Sequence, residues 1–181
     1  MKSERELITR KYTFENWRTR EMTVHEIPGS VCRMPVEKMF YKLFADGLVN
    51  LNPVEQLLYL ALDAAGWNVA RLPLNRSRTI DRYRWSAFQQ IVGTDGEAFF
   101  GQGVPDFFIW DRNSRGHRFV EVKHSEWTLS AKQQAWAERS GHDLFVARLA
   151  PVDLSDDEIK ETNRCRRVEV KSEGRGRSRN P

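Results

Sequence analysis

The chain has 181 residues, 40% hydrophobic and 30% charged, with 29 Lys and Arg against 25 Asp and Glu for a net charge of +4. There is enough apolar material for one compact domain with decorations, no run approaches the ~20 apolar residues that span a bilayer, and the first residues lack a secretory apolar stretch, so a cytoplasmic protein with no membrane contact is expected. The two cysteines, Cys32 and Cys165, are far apart and outside any CxxC pair, which argues against a structural zinc site and against a disulfide.

Three regions are expected. Residues 1–50 form an N-terminal extension or an accessory element: 1–34 are polar with scattered aromatics (Tyr12, Phe14, Trp17), 22–27 read as a short strand, and Pro28 with Gly29 reads as a turn. Pro35 then opens an amphipathic helix whose apolar residues Val36, Met39, Phe40, Leu43 and Phe44 recur with the helical period, ending near Gly47.

The second region, 51–150, carries sharper signals. Asn52 is an N-cap, Pro53 suits the first helical turn and Gly66 closes the helix, with Val54, Leu57, Leu58, Ala61, Leu62 and Ala65 on its apolar face. A strand follows at 67–72 and a helix at 79–92 stopped by Gly93. Arg71, Arg76, Arg78, Arg82 and Arg84, with Tyr83 and Trp85 among them, make either a solvated helix face or a DNA surface. Strands at 104–110 and 117–123, joined by a turn-rich 111–116, form an antiparallel hairpin. A helix capped by Ser130 and stopped by Gly141, then a strand at 143–149, complete an α/β order with a mixed sheet. The third region, 151–181, is a C-terminal helix and a basic, Gly/Ser-rich tail that cannot bury a core; it is a solubilising tail or a phosphate-seeking arm.

The chemistry concentrates in the hairpin. Alternate side chains of a strand share a face, so Glu121 and Lys123 project together while Val120 and Val122 point the other way. Asp106, at the start of the neighbouring strand, reaches the same edge. Two carboxylates so placed repel unless a cation lies between them. Mg2+, or Mn2+, suits an oxygen-ligand site and assists phosphodiester hydrolysis, with Lys123 orienting water or countering developing charge.

Three motifs, Gly103-Val104-Pro105-Asp106, Phe119-Val120-Glu121-Val122-Lys123 and Leu129-Ser130-Ala131-Lys132-Gln133-Gln134-Ala135-Trp136, resemble the PD-(D/E)xK nuclease superfamily, and within it the virus-type replication–repair (VRR-NUC) family. The likeness covers roughly 52–149 and departs from the pattern in the long, Arg-rich 73–102 segment. It implies a restriction-endonuclease-like core, a mixed central sheet flanked by helices. It also implies a metal-dependent DNA endonuclease acting on branched or structured DNA, such as a Holliday junction, in replication, repair or recombination, with DNA as partner and a homodimer as the assembly. Carried over, Asp106 and Glu121 are metal ligands, the Val122 carbonyl completes the coordination and Glu55 adds a ligand, direct or through water. Lys123 is the catalytic lysine, and Gln133, or its neighbour Gln134, braces the site.

Two further readings are a restriction-type sequence-specific endonuclease, which would need the N-terminal third to read sequence, and an inactive nucleic-acid-binding protein of the same fold. His117, His124 and His142 bracket the motif at spacings unlike a zinc site; His25 is uninformative. Trp127 and Trp136 are core residues or base-stacking platforms.

Overall fold

A computed structural model describes residues 10–48, 50–74, 79–93, 102–111, 116–123, 128–150 and 155–161. The expectations for Arg76, Arg78, His124, Trp127, Cys165, most of the 111–116 turn and the basic tail fall outside these residues. The elements run β1 (Arg10–Asn16), β2 (Met22–Ile27), α1 (Gly29–Cys32), α2 (Val36–Ala45), α3 (Pro53–Ala64), β3 (Trp67–Arg71), α4 (Thr79–Val92), β4 (Phe107–Asp111), β5 (His117–Lys123), α5 (Ala131–Ser140) and β6 (Leu144–Leu149).

The strands form one six-stranded mixed sheet, ordered β2-β1-β6-β5-β4-β3. Neighbours are antiparallel except β5 and β6, which run parallel because α5 carries the chain back across the sheet between them. The sequence reading has no strand at β1. Its alternation is short, yet Tyr12 and Phe14 are both 3% exposed on one face, and β1 pairs with β6 as well as β2. The N-terminal hairpin is thereby hydrogen-bonded into the same sheet as the 51–150 segment.

Both faces of the sheet are covered. One apolar cluster joins Phe107, Ile109, Val120 and Ala147 to α3 residues Leu58 and Leu62; the other joins Phe108, Phe119 and Val146 to Phe88 of α4 and Trp136 of α5. Helices α3 and α5 start with reciprocal capping boxes, Asn52 with Glu55 and Ser130 with Gln133, in which side chains satisfy amides that the first turn leaves without helical partners. Gly141 ends α5 at φ 71°, a conformation that favours glycine.

Helix α2 forms where expected, from Val36 to Ala45 behind Pro35. Its apolar stripe does not face inward as a whole: Leu43 is buried, but Val36 is 77%, Phe40 55% and Phe44 65% exposed. The stripe is wider than the surface α2 docks against. Past β6, residues 156–161 are helical behind Ser155, whose backbone N–H donates to Glu158 Oε2 at 2.8 Å; Lys11 Nζ meets Asp156 at 2.7 Å and ties this turn to β1.

Candidate active site

Strand β4 begins at Phe107, so Asp106 sits one residue ahead of the ladder rather than inside it, as expected when Pro105 supplies no backbone N–H for pairing. Its position is still fixed at both ends. The Asp106 carbonyl accepts the Leu72 N–H at 2.8 Å, tying it to the end of β3, and its Oδ2 accepts the Val122 N–H at 2.8 Å. Within a strand the N–H and C=O of one residue point to the same side. The Val122 carbonyl therefore opens toward Asp106.

Glu121 lies on the face of β5 shared with Phe119 and is 3% exposed. Its Oε1 accepts from Lys123 Nζ at 2.7 Å and from the Gln133 side-chain amide. Gln133 is used at both ends, because its Oε1 also accepts the Ser130 N–H at 2.9 Å as the closing bond of the α5 capping box. Helix capping and the hold on Glu121 are one device. Gly103 completes it from the other side. At φ +86° it lies so close to α5 that a Cβ there would sit 2.2 Å from the Lys132 carbonyl oxygen, so the loop leading to Asp106 rests on the turn that carries Gln133.

These contacts leave the acids electrostatically uneasy. Burial, then the facing charge of Glu121, pushes the Asp106 carboxyl up to about 7; Glu55 adds to the rise, while the Val122 N–H and Lys123 oppose it. Glu121 is raised too, chiefly by burial, against the pull of Lys123, Gln133 and the Asp106 amide. Glu121 Oε2 is buried and has no hydrogen-bond partner among the described residues. A buried, unpartnered carboxylate oxygen beside a second acid fits a cation, which would satisfy that oxygen and relieve the repulsion.

The fold thus brings together Asp106, Glu121, Val122, Lys123 and Gln133. Gln134 turns away, donating to the Leu129 carbonyl at 2.8 Å. Glu55 stands close enough to act on Asp106, but its Oε2 accepts the Asn52 N–H at 3.0 Å in the α3 cap. Among the described residues no three His, Cys, Asp or Glu side chains form a metal-binding group. His117 and His142 meet edge-on with ring centroids 5.7 Å apart, next to Phe119; burial, first of all, holds His142 below its ordinary range. Trp136 is core, edge-on to Phe119 at 5.0 Å. Arg84 belongs to neither expected surface, being 8% exposed and bonded to the Asp46 carbonyl at 3.1 Å.

Sequence reading passed over Arg148 and Glu15. In the β5–β6 register Lys123 stands opposite Arg148, whose Nη1 meets Glu15 Oε2 at 3.1 Å. The alternation Leu144, Val146, Arg148 was the available signal, since it places an arginine on a buried face.

Residues 64–149 match the family model described as the VRR-NUC domain, of a PD-(D/E)xK-type nuclease family. No curated protein and no solved structure matches the chain. Among the described residues no helix is long and apolar enough to cross a membrane.

Proposed function

From a chain whose residues 64–149 match the VRR-NUC domain, a nuclease family whose members act on DNA, we propose a divalent-metal-dependent endonuclease for branched or structured DNA with its active centre at Asp106, Glu121 and Lys123. The observation that carries this reading is the meeting of the buried Glu121 carboxylate, one oxygen of which has no hydrogen-bond partner among the described residues, with the half-buried Asp106 carboxylate and a lysine at the end of β5. Asp106, Glu121 and the Val122 carbonyl would hold Mg2+ or Mn2+, with Glu55 acting through water because its carboxylate is shared with the α3 cap. When bound, the ion supplies a Lewis acid that polarises a phosphoryl oxygen and acidifies the attacking water.

The chain's own groups do the rest. Val122 fixes Asp106 through its N–H, and Gln133 fixes Glu121 from α5, so both acids are set before substrate arrives. Lys123 brings three N–H donors to the same point, where it orients the attacking water and counters charge building on the phosphate oxygens. Two such centres in a homodimer would serve paired cuts across a branch.

Labelled linear, flap and four-way-junction DNA incubated with Mg2+ or Mn2+ tests this directly. Wild type should cut, with branched substrates preferred. Asp106→Asn and Lys123→Ala should each lose cleavage by at least a hundredfold, in keeping with the loss of a charge-stabilising or acid–base group, while melting as folded proteins. Undiminished cutting by Asp106→Asn would sink the assignment.

A further inference from the structure

The active-site face of the sheet continues past Lys123. Side chains two apart share a face, so Glu121 and Lys123 on β5, Val146 and Arg148 on β6, and Thr13 and Glu15 on β1 all lie on one side. The registers Glu121↔Val146↔Glu15 and Lys123↔Arg148↔Thr13 set them in two rows across three strands. Arg148 therefore rises one strand away from Lys123, about 4.8 Å by ordinary strand spacing. The two side chains are equally exposed, 13% each. Both stand at the carboxyl ends of a parallel strand pair, where open α/β sheets receive their ligands.

Glu15 fixes the arginine. Its carboxylate is 3% exposed and meets Arg148 Nη1 at 3.1 Å and Arg20 Nη1 at 3.4 Å. Its register neighbours are Val146 and Met22, a site an apolar residue would fill at least as stably, since burying an ion pair rarely gains over a hydrophobic match. Stability alone does not call for this carboxylate, whereas holding a guanidinium in one direction does. A guanidinium fork suits the bidentate geometry of a phosphate, and a site with two acids at its centre needs cations beside it to tolerate a polyanion.

We propose that Arg148, held beside Lys123 by Glu15 of the N-terminal hairpin, forms a second phosphate subsite that grips a DNA backbone phosphate adjacent to the one at Asp106 and Glu121. The subsite deepens the nuclease reading and rests on it. It also makes a hairpin outside residues 64–149 part of the substrate-binding machinery, with Glu15 as a positioning residue that touches no DNA.

Binding of fluorescent four-way-junction DNA, followed across salt concentrations, and cleavage in Mg2+ or Mn2+ test it together. Arg148→Ala should weaken binding on the order of tenfold and make the slope of log affinity against log salt shallower by about one, the signature of one lost phosphate contact. KM should rise more than kcat falls. Arg148→Lys should restore the slope but not the full affinity, because charge returns without the fork. Glu15→Gln should copy Arg148→Ala in part. Because it leaves a half-buried arginine short of its acid, a double variant, Glu15→Gln with Arg148→Met, removes both charges at similar volume and keeps a folded chain to measure. Folded variants with wild-type affinity and salt slope would overturn the subsite, even if the enzyme cuts normally. If wild type cuts no DNA, the nuclease reading falls, and the salt slope still decides whether Arg148 grips phosphate.

Discussion

At Asp106, burial and the facing Glu121 charge act in the same direction, and that sets a pH dependence with a definite sign. The folded carboxyl titrates at about 7, far above its ordinary value of 3.8. Between those values the folded chain holds a proton that the unfolded chain has released, so stability falls as pH rises through roughly 4 to 7 and levels above. Glu121, raised as well, adds in the same sense. His25 and His142, held low by burial, work the other way near pH 6, because the unfolded chain takes up their protons first. The Asp106 contribution is therefore isolated by difference. In chelator, the melting temperature of wild type minus that of Asp106→Asn should decrease from pH 5 to about pH 7 and level off toward pH 8. Mg2+ should raise the wild-type value most at pH 8, where no proton has to leave, and little at pH 5. A difference that stays flat across this range would show that Asp106 is not under the strain its surroundings imply.

Loop and helix are coupled at Gly103, and the coupling can be broken by one methyl group. A Cβ at Gly103 would lie 2.2 Å from the Lys132 carbonyl oxygen, a backbone atom that cannot swing aside, and the φ of +86° is itself unfavourable for alanine. Gly103→Ala should destabilise the fold on the order of 3 kcal/mol, from overpacking plus backbone strain. It should also lower cleavage at temperatures where the variant remains folded, because α5 must retreat and Gln133 retreats from Glu121 with it. Chemical denaturation and cleavage assays at 10 °C read the two effects separately; loss of stability with full cleavage would detach the loop from the acid pair. The elements on either side were legible in the sequence for local reasons. Asn52, Ser130 and Gly141 mark helix ends through chemistry that neighbouring residues supply, and Asp106, Glu121 and Lys123 lie within one hairpin whose pleat decides who shares a face. The alternation of β6 marked Arg148 as lying on a buried face, but its place beside Lys123, and that of Glu15, were not legible, since they depend on the pairing of β6 with β5 and β1, and register across distant strands leaves no local mark. Helix α2 shows the converse: its period was plain, but which part of the stripe meets the core depends on the partner surface.

Considered as a whole, the molecule is wider than residues 64–149. That segment supplies β3 to β6, and β6 would be an edge strand if it stood alone. In the full chain β1 covers it, with backbone pairing from Tyr12↔Leu149 to Asn16↔Phe145, and Tyr12 and Phe14 enter the same apolar cluster as Phe107, Val120 and α3. Removing the hairpin would expose an unpaired strand carrying Phe145 and Ala147, strip two aromatics from the core, and leave Arg148 without its acid. Each aromatic alone is worth about 3–5 kcal/mol when truncated to alanine, a large share of the 5–15 kcal/mol that holds a typical domain. A chain beginning at Asn50 should therefore elute as aggregate and melt without a cooperative transition, and it should fail to cut DNA even though every residue of the Asp106 centre is present. Size-exclusion chromatography, a thermal melt and the junction-cleavage assay on that shortened chain would decide the matter. A monodisperse, cooperatively melting and cleaving product would mean that β6 tolerates an open edge, and that the hairpin is an ornament rather than a wall of the domain.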